Sequence, residues 1–189
     1  MSGERRLPSA SDLAALCLQE QLLVFEAPFT SATALELGGA IAALSPWEGK
    51  GFSAAIVRDA DDLVMFQWAA DDQGSRNARF MDGKRAASRL AERSSLRVWA
   101  EHEATGAWQL LFDTLEEDAA AGAYPSVLPV AGAFPLCQRD ECGAVHRVAT
   151  LTVSGLHEGL DHQIMVRGLC QVLGLTYGVD VPVYEGPAE

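Results

Sequence analysis

Apolar and polar positions divide the chain into short segments that can be read one by one. Residues 1–10 are polar, contain Pro8 and predict a loose arm. Ser11-Asp12 stand where caps belong, ahead of a first helix carrying Leu13, Leu16 and Cys17. The apolar run from Gln21 to Phe25 predicts a strand. An Ala/Leu-rich helix follows, from Thr30 or Ser31 to about Leu44, stopped by Ser45-Pro46. Gly38-Gly39 costs that helix about 1 kcal/mol per glycine, which reads as close packing against a sheet.

Phe52–Val57 and Leu63–Trp68 flank the polar turn Arg58-Asp59-Ala60-Asp61-Asp62, the pattern of a β-hairpin. Asn77 to Trp99 contains no proline and predicts one long helix. In 100–126 the acidic triplet Glu116-Glu117-Asp118 before three alanines predicts a short helix, broken off by Tyr124-Pro125 and Leu128-Pro129. Ala133–Leu136 and Val148–Ser154 predict a second pair of strands. The last helix spans about Glu158 to Leu173, with Gly174 as its stop. Residues 11–174 thus form one domain, and 175–189 a tail whose alternating Val179, Val181 and Val183 could add a strand. Helices available for both faces of a hairpin-built sheet predict an α+β fold in three layers.

Two polar residues interrupt apolar helix faces. At 100° per residue, Phe80, Lys84, Ala87, Ala91, Ser94 and Ser95 share one stripe, opposite Asp82, Arg85, Arg89, Glu92 and Arg93. A lysine on that stripe must snorkel outward, meet an anion or line a pocket. In the last helix His162 projects from the stripe of Met165, Val166, Leu169, Val172 and Leu173. It reads either as a hydrogen-bonded core residue or as a ligand contact. Asp161, in the first turn, is favoured there by the helix dipole alone.

Composition narrows the function. Of 189 residues 49% are apolar, which excludes wholesale disorder. A formal net charge of −12 without a basic stripe argues against a nucleic-acid partner. No apolar run approaches the roughly 18 residues of a membrane span, and no signal peptide is legible, so a cytoplasmic protein is expected. Cys137-x4-Cys142-x3-His146 has loose spacing and no fourth ligand nearby, so no metal site is expected; the two cysteines read as flanking a hairpin turn. Nucleophile-elbow, phosphate-loop and dinucleotide glycine patterns are absent.

Three segments in order carry a resemblance: Asn77-x-x-Phe80-Met81-x-x-Lys84 ending in Arg93-Ser94-Ser95; Gly132-Ala133-Phe134-Pro135-Leu136; and Thr150-x-Thr152-Val153-Ser154-Gly155-Leu156 followed by Asp161-His162. Over about residues 12–173 the chain resembles the haem-degrading-domain superfamily that includes the GlcG and HbpS proteins, and within it an uncharacterised branch. The resemblance implies a profilin-like α/β/α sandwich with an antiparallel five-stranded sheet. It also implies homo-oligomers, from dimers to larger rings, and haem as a cofactor of some relatives. The chain departs from the family at Phe80, where Trp is usual, at Asp82 and Gly83, where basic residues are usual, at Ala131-Gly132-Ala133, where glycines are thinned, and at His157, where Pro is common. No haem-ligating histidine of the relatives matches His102, His146, His157 or His162.

The reading that follows is a non-catalytic, oligomeric small-molecule-binding or sensory module. Lys84 is assigned to an anionic group, Ser95 to a hydrogen bond, Phe134 to packing and His162 to a switchable donor. The alternatives are an enzyme with His162 as acid/base and Lys84 as charge stabiliser, or an oligomeric protein-interaction scaffold.

Overall fold

The structure, a computed structural model, describes residues 8–45, 49–71, 76–105, 127–156 and 158–183. In chain order the elements are α1 (Ala10–Leu22), β1 (Val24–Phe25), α2 (Ser31–Ala42), β2 (Ser53–Arg58), β3 (Val64–Ala69), α3 (Arg76–Ala91), α4 (Ser95–Thr105), β4 (Ala133–Arg139), β5 (Val145–Ser154) and α5 (Glu158–Leu173). The strands form one five-stranded sheet in the order β1-β4-β5-β2-β3. Helices α2 and α5 cover one face, α3 covers the other, and α4 packs beside α3 and against α1. This is the expected three-layer α/β/α sandwich. None of the helices among the described residues is long and apolar enough to cross a membrane.

The two faces of the sheet differ chemically. Ala54 and Ile56 of β2, Phe134 and Leu136 of β4, and Ala149, Leu151 and Val153 of β5 point into the main core with Leu37 and Ile41 of α2 and Ile164, Met165 and Leu169 of α5. Side chains alternate along a strand, so Ser53, Ala55, Thr150, Thr152 and Ser154 line the other face, under α3. That face is small and hydroxyl-rich. A second, smaller core joins Leu16 of α1 to Leu96, Trp99 and Ala100 of α4 and to Val130-Ala131.

The structure corrects several sequence expectations. The long helix over 77–99 is two helices. Glu92 takes a left-handed φ of 56°, and the Arg93 and Glu92 amides donate back to the Ser88 and Arg89 carbonyls, a Schellman ending without the usual glycine. Ser94 then caps α4, its hydroxyl accepting from the Arg97 amide at 3.3 Å. The first helix starts at Ala10, because Ser9 and Asp12 close a capping box. It runs to Leu22 and leaves only two residues for β1. That strand pairs parallel to β4, Val24 opposite Cys137, so the sheet is antiparallel everywhere except at this edge. No hairpin joins β1 to β4, so nothing forces the two to run in opposite directions.

Cys137 and Cys142 do not face each other: Cys137 lies opposite Arg147, and Cys142 sits in the β4–β5 turn. All four cysteines are free thiols. Among its described residues the tail adds no strand to the sheet; Tyr177 and Val181 form an isolated bridge, and Val181 plugs the main core while Val179 stays exposed. The acidic helix expected near 116–121, most of the N-terminal arm, Pro46, His157 and residues 184–189 lie outside the described residues.

The close-packing expectation holds for one of the paired glycines. A Cβ on Gly38 would sit 2.3 Å from the Phe66 ring, whereas one on Gly39 meets nothing within 4 Å. Gly38→Ala is therefore expected to destabilise the protein by about 1–3 kcal/mol through overpacking. Gly39→Ala is expected to stabilise it by roughly 0.5–1 kcal/mol through helix propensity. Urea denaturation of the two variants checks both signs.

Candidate functional site

Helix α3 lays its small-residue stripe on the hydroxyl-rich face of the sheet, and this carries Lys84 into the interior. The lysine is 4% exposed and its partner Asp161, in the first turn of α5, is 1% exposed. Lys84 Nζ lies 2.7 Å from Asp161 Oδ2. Nζ also donates to the Val153 carbonyl at 3.3 Å and to Ser154 Oγ at 3.4 Å. An ammonium has three protons, and here each has an acceptor. Asp161 thus supplies Lys84 with one anionic partner from within the chain. Asp161 does more than complement the helix dipole: its other oxygen accepts the Leu156 amide at 3.1 Å. Asn77, in the first turn of α3, donates to the Ser154 carbonyl at 3.2 Å.

Backbone closes over the lysine from the β4 side. Gly132 has φ +119°, and a Cβ there would lie 2.3 Å from the Val153 carbonyl oxygen and 2.7 Å from Lys84 Nζ. Only glycine fits that approach. The three segments that carry the family resemblance therefore meet around one buried ion pair.

His162 follows Asp161 but faces elsewhere. Its Nε2 lies 2.8 Å from Gln19 Oε1, and Gln19 Nε2 donates to the Pro182 carbonyl at 2.6 Å. With the amide so oriented, His162 is the donor and carries its proton on Nε2. Nδ1 is buried with no hydrogen-bond partner, and the Phe134 ring is centred 5.8 Å away. Complete burial lowers the imidazole pKa to about 3. With Nε2 held by Gln19 and Nδ1 enclosed, the imidazole stays neutral at pH 7 and presents neither ring nitrogen to solvent.

The four sequence candidates form two groups rather than one cluster. Phe134 and His162 belong to the α5 side of the sheet. Lys84 and Ser95 belong to the α3–α4 side, where Ser95 Oγ accepts the Ala133 amide at 2.9 Å and so latches α4 to the start of β4. A single turn of α5 links the groups, with Asp161 reaching α3 and His162 reaching α1.

Sequence reasoning missed a second polar cluster. Asp59, in the β2–β3 turn, accepts from Arg89 Nε at 2.8 Å, Arg147 Nε at 2.5 Å and Thr150 Oγ1 at 2.7 Å. Arg147 also donates to the Ser88 carbonyl at 2.7 Å. Burial pushes the Asp59 carboxyl up, but Thr150 and the two guanidinium groups outweigh it and hold the pKa below the ordinary value. The cluster pins the C-terminal end of α3 as Lys84 pins its middle. Its members lie up to 91 positions apart, beyond the reach of local pattern. Beside the β4–β5 turn, His146 of β5 pairs with Asp140 at 2.7 Å. Among the described residues, no three His, Cys, Asp or Glu side chains group as metal ligands.

Two outcomes follow. Lys84→Met should cost about 3–5 kcal/mol, the penalty of removing one partner from a buried ion pair, and not leave stability unchanged as volume alone would suggest; chemical denaturation measures it. His162 makes stability pH-dependent. Its folded pKa of about 3 lies below the ordinary 6.5 of an exposed imidazole, so the unfolded chain binds the extra proton between those limits. Its contribution is complete above pH 6.5 and is lost as pH falls, at up to about 1.4 kcal/mol per pH unit. Denaturation from pH 7 to pH 4 should show that slope, reduced by one proton in His162→Gln.

Comparison with known proteins places the chain in a family. The family model described as haem degrading protein HbpS-like matches residues 29–170. A UPF0303 protein of Burkholderia lata is 31% identical over 170 residues, covering 90% of this chain and 94% of that protein. A UPF0303 protein of Burkholderia orbicola is likewise 31% identical, over 176 residues, with the same coverage. Among solved structures, the Ybr137w protein superposes with a TM-score of 0.66 at 18% identity, covering 86% of this chain and 87% of that one. HbpS superposes with a TM-score of 0.53 at 22% identity, covering 78% and 92%. Klebsiella pneumoniae ORFY superposes with 0.55 at 14%, also covering 78% and 92%. At these identities the superpositions speak for the fold alone. By the family model and the curated relatives together, the chain belongs to the HbpS-like haem-degrading protein family, alongside its uncharacterised UPF0303 members.

Proposed function

We propose that the chain is a non-catalytic, self-associating small-molecule-binding module whose ligand is a small anion received at Lys84. The observation that supports this is the grading of the lysine's contacts. Asp161 holds Nζ tightly at 2.7 Å, whereas Ser154 Oγ, at 3.4 Å, is the longest of the three. Ser154 is followed by exposed Gly155. A carboxylate or phosphate oxygen arriving over Gly155 takes the place of Ser154 Oγ and gains a charge-assisted bond, while Asp161 keeps the lysine in position. Asn77 and the Leu156 amide are already gathered at this bend.

Two of the described histidines are poorly placed to ligate a haem iron. An iron ligand needs an imidazole nitrogen open to a slot. His162 Nε2 is committed to Gln19 and its Nδ1 is enclosed, while His146 is bound to Asp140 on an exposed turn. The contacts of Lys84 favour a small anion as the proposed ligand.

Native mass spectrometry and thermal denaturation test the reading with phosphate, acetate and citrate as probes. At least one should bind and stabilise the native state, by about 2.7 kcal/mol at a hundredfold excess over Kd. Ser154→Ala should retain binding, since the ligand displaces that hydroxyl. No stabilisation by any of the three, and no small molecule retained on purification, would overturn the ligand assignment. Light scattering tests self-association separately: a mass well above the 20.2 kDa of one chain is expected.

A further inference from the structure

Beyond α5 the chain turns back along the helix it has just left. Gly174, at φ +68°, ends α5, and the Leu175 amide donates to the Cys170 carbonyl at 2.9 Å. The Arg167 guanidinium stands over the Tyr177 ring, 4.7 Å from its centre. Burial and the Asp180 carboxylate push the Cys170 thiol up, which places this returning segment beside that thiol. Val181 enters the main core. Gln19 of α1 donates to the Pro182 carbonyl and accepts from His162. Residues 175–182 thus run back towards the N-terminal end of α5. They and α1 lie outside residues 29–170, the span that the family model matches.

The segment satisfies most of its backbone by itself. The Asp180 amide donates to the Thr176 carbonyl at 2.9 Å and the Gly178 amide to the Val181 carbonyl at 2.8 Å. The Thr176 amide donates to the Asp180 carboxylate at 2.7 Å. Among the described residues, its ties to other elements past Leu175 are the Tyr177–Arg167 contact, the seat of Val181 and the Gln19 bond. α1, by contrast, is anchored through Leu16 in the second core and through Glu20 to α4. Of the two segments joined at Gln19, residues 175–182 leave at the lower cost.

What faces the His162 ring is neutral: Gln19 from α1, Phe134 from β4 and, beyond Gln19, the Pro182 carbonyl. The charged groups on the surrounding elements are engaged with others. Asp161 of α5 holds Lys84, Glu20 of α1 holds Arg97 of α4, and Asp180 holds the Thr176 amide. The Cys170 thiol is kept protonated by burial and by Asp180. A proton added at Nδ1 therefore meets no acceptor, and a charged ring must reach water.

We infer that residues 175–182 form an acid-released strap: neutral His162 holds it down through Gln19, and it lifts about Gly174 when His162 takes a proton. With the strap closed, burial keeps the imidazole pKa at about 3. With it lifted, water restores the ordinary 6.5. The lifted form therefore binds the extra proton. Its population grows as pH falls below 6.5, by up to about tenfold per pH unit, and by about 25-fold between pH 7 and pH 5. The sheet and α5 stay in place, and no ligand at Lys84 is needed.

The four free thiols supply the probe. Cys170 is buried beside the strap and Cys142 is exposed. Labelling with 4,4′-dithiodipyridine, resolved by site with mass spectrometry, gives the rate at Cys170 relative to Cys142. In the wild-type protein that ratio should rise about 25-fold from pH 7 to pH 5, above the range where carboxylates titrate. In His162→Gln, which keeps a donor for Gln19 and cannot titrate, it should stay constant. Opening at Cys170 should also be at least about tenfold more frequent than that read from hydrogen exchange of Leu151 and Val153 in β5, because it is local. A constant wild-type ratio overturns the inference. So does an equal rise in His162→Gln, or opening at Cys170 no more frequent than in β5. Should His162→Gln not fold, Gln19→Met takes its place. It cuts the tie at its middle, and Cys170 labelling at pH 7 should rise about fivefold, the worth of one hydrogen bond; an unchanged rate overturns the inference.

Discussion

A charge held in the interior organises this molecule. Lys84 reaches the end of the sheet from one helical layer and Asp161 reaches it from the other, and the two meet at 2.7 Å with almost no exposure. A buried ion pair is a weak source of net stability, because desolvation consumes most of the Coulombic gain. Its force is in geometry: neither charge tolerates a position where the other is missing. α3, the end of β5, the bend at Gly155-Leu156 and the first turn of α5 are thereby fixed to one another. The glycine at 132 is part of the same constraint, since any side chain there would strike the lysine or the Val153 carbonyl.

The sheet accommodates that arrangement by keeping its two faces unlike. The α2–α5 face is a conventional apolar core. The α3 face is built of Ser53, Ala55, Thr150, Thr152 and Ser154, a surface on which a lysine, a buried Ser88 and the Asp59–Arg89–Arg147 cluster find partners. Polar groups across that layer are satisfied by each other, in line with the cost of leaving any unbonded. His162 Nδ1 is the exception on the α5 side. It sits where Gln19 ties α1, α5 and residue 182 together.

Much of the fold was legible because local signals were strong. The β2–β3 hairpin, α2 and α5 announced themselves by turn residues, apolar periodicity and stops. The break at Glu92 was not legible, because a Schellman ending was reached without glycine; the Ser94 cap was its one local trace. The parallel pairing of β1 was hidden because it joins segments more than a hundred positions apart. Of the site, the anomaly was legible and the partner was not. Helical spacing singled out Lys84 as a cation on the wrong face, yet Asp161 had a sufficient local explanation in the helix dipole. Only the packing of α3 against the end of β5 shows that one residue answers the other. Ser95 and Phe134, expected as ligand contacts, are both fully buried and lie on opposite sides of the sheet.

The central claim is that Lys84 and Asp161 act as one unit. A double-mutant cycle of Lys84→Met, Asp161→Asn and the pair, read by chemical denaturation, tests it most directly. The account predicts that the double variant is more stable than the sum of the single losses by at least about 1.5 kcal/mol, within the range for residues sharing one network. Additivity within about 0.5 kcal/mol, the behaviour of independent sites, would contradict it.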